Sequence, residues 1–232
     1  AEVDLPGYKP RYEGNIRQVN VAAEVINSAK QPVVYAGGGI IASECSRELL
    51  ELAEKGNLPV TTTLMGLGGF PEDHNASLGM LGMHGTAYAN FAVTESDVLL
   101  AIGARFDDRI TGKIDEFAPH AKIIHIDIDP ASISKSIEVD IPIVGDAKNI
   151  LQALIKHIRF VERKEWFDKI NSWKEKNPLS YNNTGSVIKP QYVIEQICDI
   201  AKGNAIITTE VGQNQMWAAQ FFTYTKPRTF LS

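Results

Sequence analysis

The sequence predicts an α/β protein: a doubly wound parallel sheet over residues 12–160, a linker over 161–187 and the start of a second, incomplete α/β unit over 188–232. Residues 1–11 read as a linker leading into the sheet. Strand-like runs alternate with amphipathic helices, the strands are apolar on both faces, and glycine, arginine or aspartate follows strand after strand. Strands hydrophobic on both faces belong to a parallel sheet covered by helices on each side. With 232 residues, of which 44% are hydrophobic and 22% charged, the chain can bury a full core and extend beyond it.

From Asn15, the residues Ile16, Val19, Ala23 and Ile26 recur at helical spacing, and Asn15 with Gln18 can serve the free amides at the helix start. PVVYAGGG is a β-branched strand entering glycines. SRELLELAEKGNLP is a helix with Gly56 at its expected end and Pro59 beyond. PVTTT follows as a second strand, AYANFAVTE as a helix and DVLLAIGA as a third strand. KIIHIDID is a fourth strand and IPIVGD a fifth, before the helix AKNILQALIKHI. Within 161–187, Trp166, Ile170 and Trp173 share one face of a helix that rests on another surface, and NPLSYNNTGS is a loop. Pro190 then opens a helix carrying Val193, Ile194, Ile197 and Ile200, which Gly203 ends. AIITTEVG, QNQMWAAQFF and TKPRTFLS read as strand, helix and strand start. So short a unit cannot cover both faces of its own sheet, so the chain is expected to be a fragment of a longer protein.

The formal charge of -5 and the lack of a basic, aromatic-interleaved surface argue against nucleic acid as a partner. No apolar run approaches a membrane span, and AEVDLPGYKP lacks a signal peptide's regions, which makes the cytoplasm the expected location. Cys45 and Cys198 stand far apart with no metal-binding spacing, so both read as core residues and no metal site is expected in this chain.

Gly37, Gly39 and Ala42 fit GxGxxG/A between a strand and a helix, where glycine admits a phosphate to the backbone, or simply makes a tight turn. The next strand ends in Thr61, Thr62 and Thr63 rather than the acid of a nicotinamide site, so an ordinary NAD site is disfavoured. GMLGMHGTAYAN is glycine-dense, with Met80, Met83 and His84 close together, and has no second His at metal spacing. In GARFDDR, Arg105, Asp107 and Arg109 leave the carboxyl end of a strand; the arginines can hold a pyrophosphate, or the charges can neutralise one another. In KIIHIDIDP, strand alternation puts Ile124, Ile126 and Ile128 on one face and His125, Asp127 and Asp129 on the other. A carboxylate is costly to bury unpaired, and both acids end a strand of the same sheet, so they are expected to face a cofactor. Gly145 and Asp146 end the following strand, where Asp146 can also cap the next helix. Together these strand ends suit an adenine dinucleotide spread along one edge.

LMGLGGFPEDH, SLGMLGMHGTAYAN, GARFDDRITGK, IIHIDIDPASI and EVGQNQMWAAQFF resemble the large, catalytic subunit of the acetolactate synthase (acetohydroxyacid synthase) family, over nearly the whole chain. The resemblance implies a thiamine-diphosphate enzyme, a transferase that decarboxylates pyruvate and ligates the remainder to a second pyruvate or to 2-oxobutyrate, the first common step toward valine, leucine and isoleucine. It implies that residues 12–160 are the Rossmann-like central domain and 188–232 the start of the pyrophosphate-binding domain. It also implies a structural FAD, held by Gly37, Gly38, Gly39, Thr63, Leu64, Met65, Leu81, Gly82, Met83, His84, Gly103, Ala104, Arg105, Asp107, Arg109, Asp127, Ile128, Gly145 and Asp146. Thiamine diphosphate would be met by Val211, Gly212, Gln213, Asn214, Gln215 and Met216. Many relatives have His at Asn214; an amide donates to a phosphate oxygen but cannot be protonated. The activating glutamate and the Mg²⁺ ligands would lie outside this chain, so no catalytic residue is assigned within it, and the fragment is expected to be inactive alone. The intact subunit would be a homodimer or homotetramer, and a small regulatory subunit is common in the family. The alternatives are another FAD-containing thiamine enzyme, glyoxylate carboligase or pyruvate oxidase, or a nucleotide-binding module without chemistry.

Overall fold

The computed structural model describes residues 10–232; the linker expected over 1–11 lies, through residue 9, outside the described residues. Six parallel strands form the main sheet: β1 (Pro32–Ala36), β2 (Val60–Thr62), β3 (Ser77–Met80), β4 (Val98–Ile102), β5 (Lys122–Asp127) and β6 (Ile141–Val144). Their order is β3-β2-β1-β4-β5-β6. Every residue of PVVYA in β1 and VLLAI in β4 is buried, because helices cover both faces, as the sequence indicates. On one face, α1 (Ile16–Ser28), α3 (Ser46–Gly56) and α6 (Ala147–Ile155) pack on Val34, Ile102, Ile124 and Ile126. On the other, α4 (Ala87–Glu95) and α7 (Lys164–Lys176) cover Val33, Tyr35, Leu99 and Ala101, while the short helices α2 (Gly38–Ala42) and α5 (Asp108–Thr111) follow β1 and β4. Trp166 and Ile170 of α7 are buried there, and the Trp166 indole donates to the Pro32 carbonyl at 3.1 Å. The surface on which this helix rests is therefore the second core.

Two local expectations change. Sequence reading finds five strands, but β3 begins just before the glycine-dense stretch and runs into it. Its four residues lie at the sheet edge, their register on β2 shifts between Val60 and Thr62, and Gly79 has φ +68°. A strand this short and irregular never shows a two-residue period. At the end of α3, Gly56 stays helical and Asn57 takes the left-handed position, with φ 52° and ψ 59°. Asparagine tolerates that conformation, and its side-chain amide bonds the Val161 carbonyl at 3.2 Å.

Where the strand order reverses, between β1 and β4, the two backbones nearly touch. The Gly37 N–H donates to the Ile102 carbonyl at 2.9 Å and the Gly39 N–H to the Gly103 carbonyl at 3.0 Å. A Cβ on Gly37 would stand 2.1 Å from the Gly103 oxygen, and one on Gly39 2.5 Å from the Gly103 Cα. Gly37 has φ −104°, which any residue adopts, so close approach rather than a left-handed turn is the reason for these glycines.

The C-terminal segment comprises α8 (Pro190–Ala201), β7 (Ile207–Thr208), α9 (Gln213–Phe221) and β8 (Phe230–Leu231), with β7 and β8 paired in parallel. Ala219, Phe222, Tyr224 and Phe230 form a small core with Leu67 and Met80 of the main domain. Glu72 clasps this segment twice: its N–H donates to the Tyr224 carbonyl at 3.1 Å, and its carboxyl accepts the Tyr224 N–H at 2.6 Å.

Gly39→Ala is expected to cost about 3 kcal/mol, since its Cβ meets backbone that cannot give way. Gly203→Ala, at φ +69° with only ordinary contacts, should cost about 1 kcal/mol for its left-handed backbone alone; denaturant unfolding compares the two. Burial pushes the Glu72 carboxyl from its ordinary 4.5 up to about 8, against the lowering pull of the Tyr224 N–H and with Asp73 adding to the rise. Between those values the folded chain holds a proton that the unfolded chain has released, so stability falls as pH rises from 4.5 to 8 and the loss levels off above. Unfolding of Glu72→Gln across that range should lack this component of the slope.

Candidate functional site

A cleft of about 490 Å³ runs along the carboxyl edge of the sheet at the strand-order reversal, where open α/β sheets bind ligands. Gly38 and Gly39 enter it after β1, and Thr63, Leu64 and Met65 after β2. Gly103, Ala104, Arg105, Asp107 and Arg109 follow from β4, and Asp127 and Ile128 from β5. All of these were named from sequence; Tyr35, Ile110 and Ser132 line the cleft without having been named. Tyr35 carries no sequence signal of this role, because in PVVYA it is indistinguishable from any other buried strand residue.

A second cleft, of about 450 Å³, shares Leu64, Arg109 and Ile110 with the first. Leu81, Met83 and His84 line it from one side, and Val211, Gly212, Gln213, Gln215 and Met216 from the other. Sequence reading placed these two groups on different cofactors; the fold brings them face to face. The Gln220 side chain donates to the His84 carbonyl at 2.7 Å and ties α9 to the loop after β3. Gly82, at φ +102°, is held from behind by the Asn90 amide and does not line either cleft. Asn214 is exposed and also outside the lining. A larger hollow of about 770 Å³, between β3, α7 and α9, includes Met80 and His84 of the residues named from sequence.

Gly145 and Asp146 do not reach the cleft. Gly145 packs against Gly14 and Ile150. The Asp146 carboxylate accepts the Lys148 N–H at 3.0 Å, the Asn149 N–H at 3.2 Å and the Ser43 hydroxyl at 2.8 Å. It is the N-cap of α6, the structural role already open to it in the sequence.

The paired acids divide their work, which corrects the expectation that both face a ligand. Asp129 accepts the Ala131 N–H at 2.9 Å and caps the turn Pro130–Ser132. Asp127 spends one oxygen on the Asp129 N–H at 2.9 Å, and its side chain lines the cleft. His125, fully buried beside it, stands 3.9 Å from the other Asp127 oxygen, beyond hydrogen-bond reach. Its Nε2 lies 2.9 Å from the Ala104 carbonyl instead. Burial lowers the imidazole pKa, against smaller raising effects from the Ala104 carbonyl and Asp127. Arg105 and Asp107 pair at 3.3 Å with both side chains well exposed, a contact worth little by itself. Arg109 has no ion-pair partner among the described residues.

The geometry fits a dinucleotide: a cleft at the strand ends, bare glycine backbone at Gly38 and Gly39 in its floor, arginines at its rim and a carboxylate oxygen free to accept from a hydroxyl. The Thr63 hydroxyl is buried in its wall without a partner among the described residues. At the second cleft, α9 opens at Gly212 with no side-chain cap, leaving its first amides available to an anionic group.

Residues 19–154 match the family described as "Thiamine pyrophosphate enzyme, central domain". The whole chain is similar to the "Acetolactate synthase large subunit" of Buchnera aphidicola subsp. Schlechtendalia chinensis, 51% identical, with 42% of that protein covered. It is 52% identical to the "Probable acetolactate synthase large subunit" of Methanocaldococcus jannaschii, again over the whole chain and 41% of the relative. The "Acetolactate synthase large subunit" of Haemophilus influenzae is 44% identical over 99% of this chain and 41% of its own length. The chain thus spans about two fifths of the length of the curated relatives it matches.

Proposed function

The chain belongs to the thiamine pyrophosphate enzymes, whose central domain it carries, and from that premise we propose that the whole protein is an acetolactate synthase. The observation that carries the reading is the meeting of two clefts: the strand-end cleft suited to FAD shares Leu64, Arg109 and Ile110 with a second cleft, which Val211, Gly212, Gln213, Gln215 and Met216 line and which suits thiamine diphosphate. A nucleotide-holding module without chemistry has no use for that second loop, and the likeness to acetolactate synthase subunits extends through it.

Thiamine diphosphate, when bound, supplies the electron sink for decarboxylating one 2-oxo acid and joining the remainder to a second. The residues of this chain hold and orient. Arg105 and Arg109 present planar donors to a diphosphate, and the free Asp127 oxygen accepts from hydroxyls of a ribose or ribityl chain. The amides at the start of α9 would hold the thiamine diphosphate anion, and Leu64, Leu81, Met83, Ile110 and Met216 would give it apolar contact. FAD acts here as a structural group, so no redox step is assigned. Pyruvate and 2-oxobutyrate are the proposed substrates, and Mg²⁺ a proposed cofactor that residues other than these would hold. A homodimer or homotetramer in the cytoplasm, with a small regulatory subunit as a further partner, completes the proposal. No helix of the described residues is long and apolar enough to cross a membrane.

The whole protein, supplied with thiamine diphosphate, Mg²⁺ and FAD, should form acetolactate from pyruvate; colorimetric assay showing pyruvate untouched would overturn the proposal. In titrations of this chain, FAD should bind in preference to NAD and ADP. Arg105→Ala and Asp127→Ala should each weaken FAD by roughly tenfold or more, the scale of a lost charge-assisted hydrogen bond.

A further inference from the structure

The turn Gly103–Phe106 after β4 has an unusual distribution of hydrogen bonds. Three of its carbonyls in succession are taken from within the protein: Gly103 by the Gly39 N–H at 3.0 Å, Ala104 by His125 Nε2 at 2.9 Å and Arg105 by the Tyr35 hydroxyl at 3.4 Å. The N–H groups of Arg105 and Phe106 meet no acceptor among the described residues. In a trans peptide the N–H points opposite to the carbonyl. Clasping the Ala104 and Arg105 carbonyls from the buried side therefore turns the next two N–H groups away from the core, and Ala104 and Arg105 line the cleft.

The side chains that do this are built in rigidly. His125 and Tyr35 are fully buried. The Phe106 ring stands edge-on to His125 at 5.1 Å and packs against Tyr35 at 5.9 Å. Among the described residues the hydrogen-bond partner of His125 Nε2 is the Ala104 carbonyl, which can only accept, so that nitrogen carries the proton. Nδ1 is then a lone pair with no donor among the described residues, a costly arrangement in an apolar core that general core packing does not explain. Burial lowers the imidazole pKa and raises that of the Tyr35 phenol, which keeps both groups neutral donors.

We propose that His125 and Tyr35 are positioning residues for the cofactor cleft, which hold the Ala104 and Arg105 carbonyls inward so that the Arg105 and Phe106 N–H groups face an acceptor oxygen of the bound dinucleotide. This rests on the reading of the cleft as a flavin site. It adds two buried side chains, whose hydrogen bonds to the turn no sequence pattern shows and which act through its backbone.

The test is FAD titration of the purified chain, with thermal melts confirming that each variant is folded and hydrogen exchange followed at the turn. His125→Leu should weaken FAD about tenfold and Tyr35→Phe a few-fold, the scale of one hydrogen bond each. His125→Gln, whose amide returns a donor at the same reach, should recover most of the loss. FAD should slow amide exchange at residues 105 and 106 in the wild type and less so in His125→Leu. Equal affinity in wild type, His125→Leu and Tyr35→Phe, or no FAD-dependent protection of the turn, overturns the positioning role while leaving the flavin site standing. Should His125→Leu fail to fold, Tyr35→Phe and the wild-type exchange data decide the matter by themselves. A wild type that does not bind FAD removes the flavin reading and this proposal with it.

Discussion

The cleft depends first on the contact between glycine backbones where β1 and β4 diverge. Parallel strands normally keep side chains between their turns; here Gly37 and Gly39 approach Gly103 so closely that no Cβ fits between them. That approach lets the Gly39 N–H reach the Gly103 carbonyl, which begins the inward series of carbonyls along the turn. It also leaves Gly38 and Gly39 as bare backbone in the floor of the cleft. The glycines thus serve the protein first and a ligand second. A phosphate-binding motif is commonly read as room made for the phosphate, but much of the room here is occupied by another strand's turn.

From this contact outward, each strand end contributes according to its position in the sheet. The central strands β1, β4 and β5, with β2 beside them, deliver their ends to one cleft. β6 lies at the edge, so Gly145 and Asp146, with the same residue types in the same place on their strand, arrive elsewhere and cap a helix instead. At the end of β5 the alternation of the strand puts His125 and Asp127 on one face, His125 buried within the sheet and Asp127 at the strand's end in the cleft. The irregular turn that follows takes Asp129 for its own amides.

The C-terminal segment is held by a small shared core and by the Glu72–Tyr224 clasp. Its effect is to set the start of α9 across from Leu81, Met83 and His84. The two cofactor groups proposed for the protein then share a wall, and Ile110 and Arg109 stand at the boundary. Chemistry at one site would take place against a surface shaped partly by the other.

Most of the architecture was legible in residue order. Alternating apolar strands and amphipathic helices gave the doubly wound class, and their long uninterrupted periods gave five of the strands and the main helices. Strand-end glycines, arginines and acids pointed to one edge, because in a parallel sheet all carboxyl ends lie together. β3 escaped, since a four-residue edge strand with a register shift has no period to read. Tyr35 and His125 escaped as well, because a buried strand residue looks the same in sequence whether it packs or donates. The tertiary structure alone decided which strand ends meet, since that depends on sheet order: it separated Asp146 from Asp127, joined Val211–Met216 to His84, and aimed a turn's free amides by hydrogen bonds between residues far apart in the chain. Local periodicity encodes what each segment is; only packing brings distant side chains within the few ångströms over which a hydrogen bond acts.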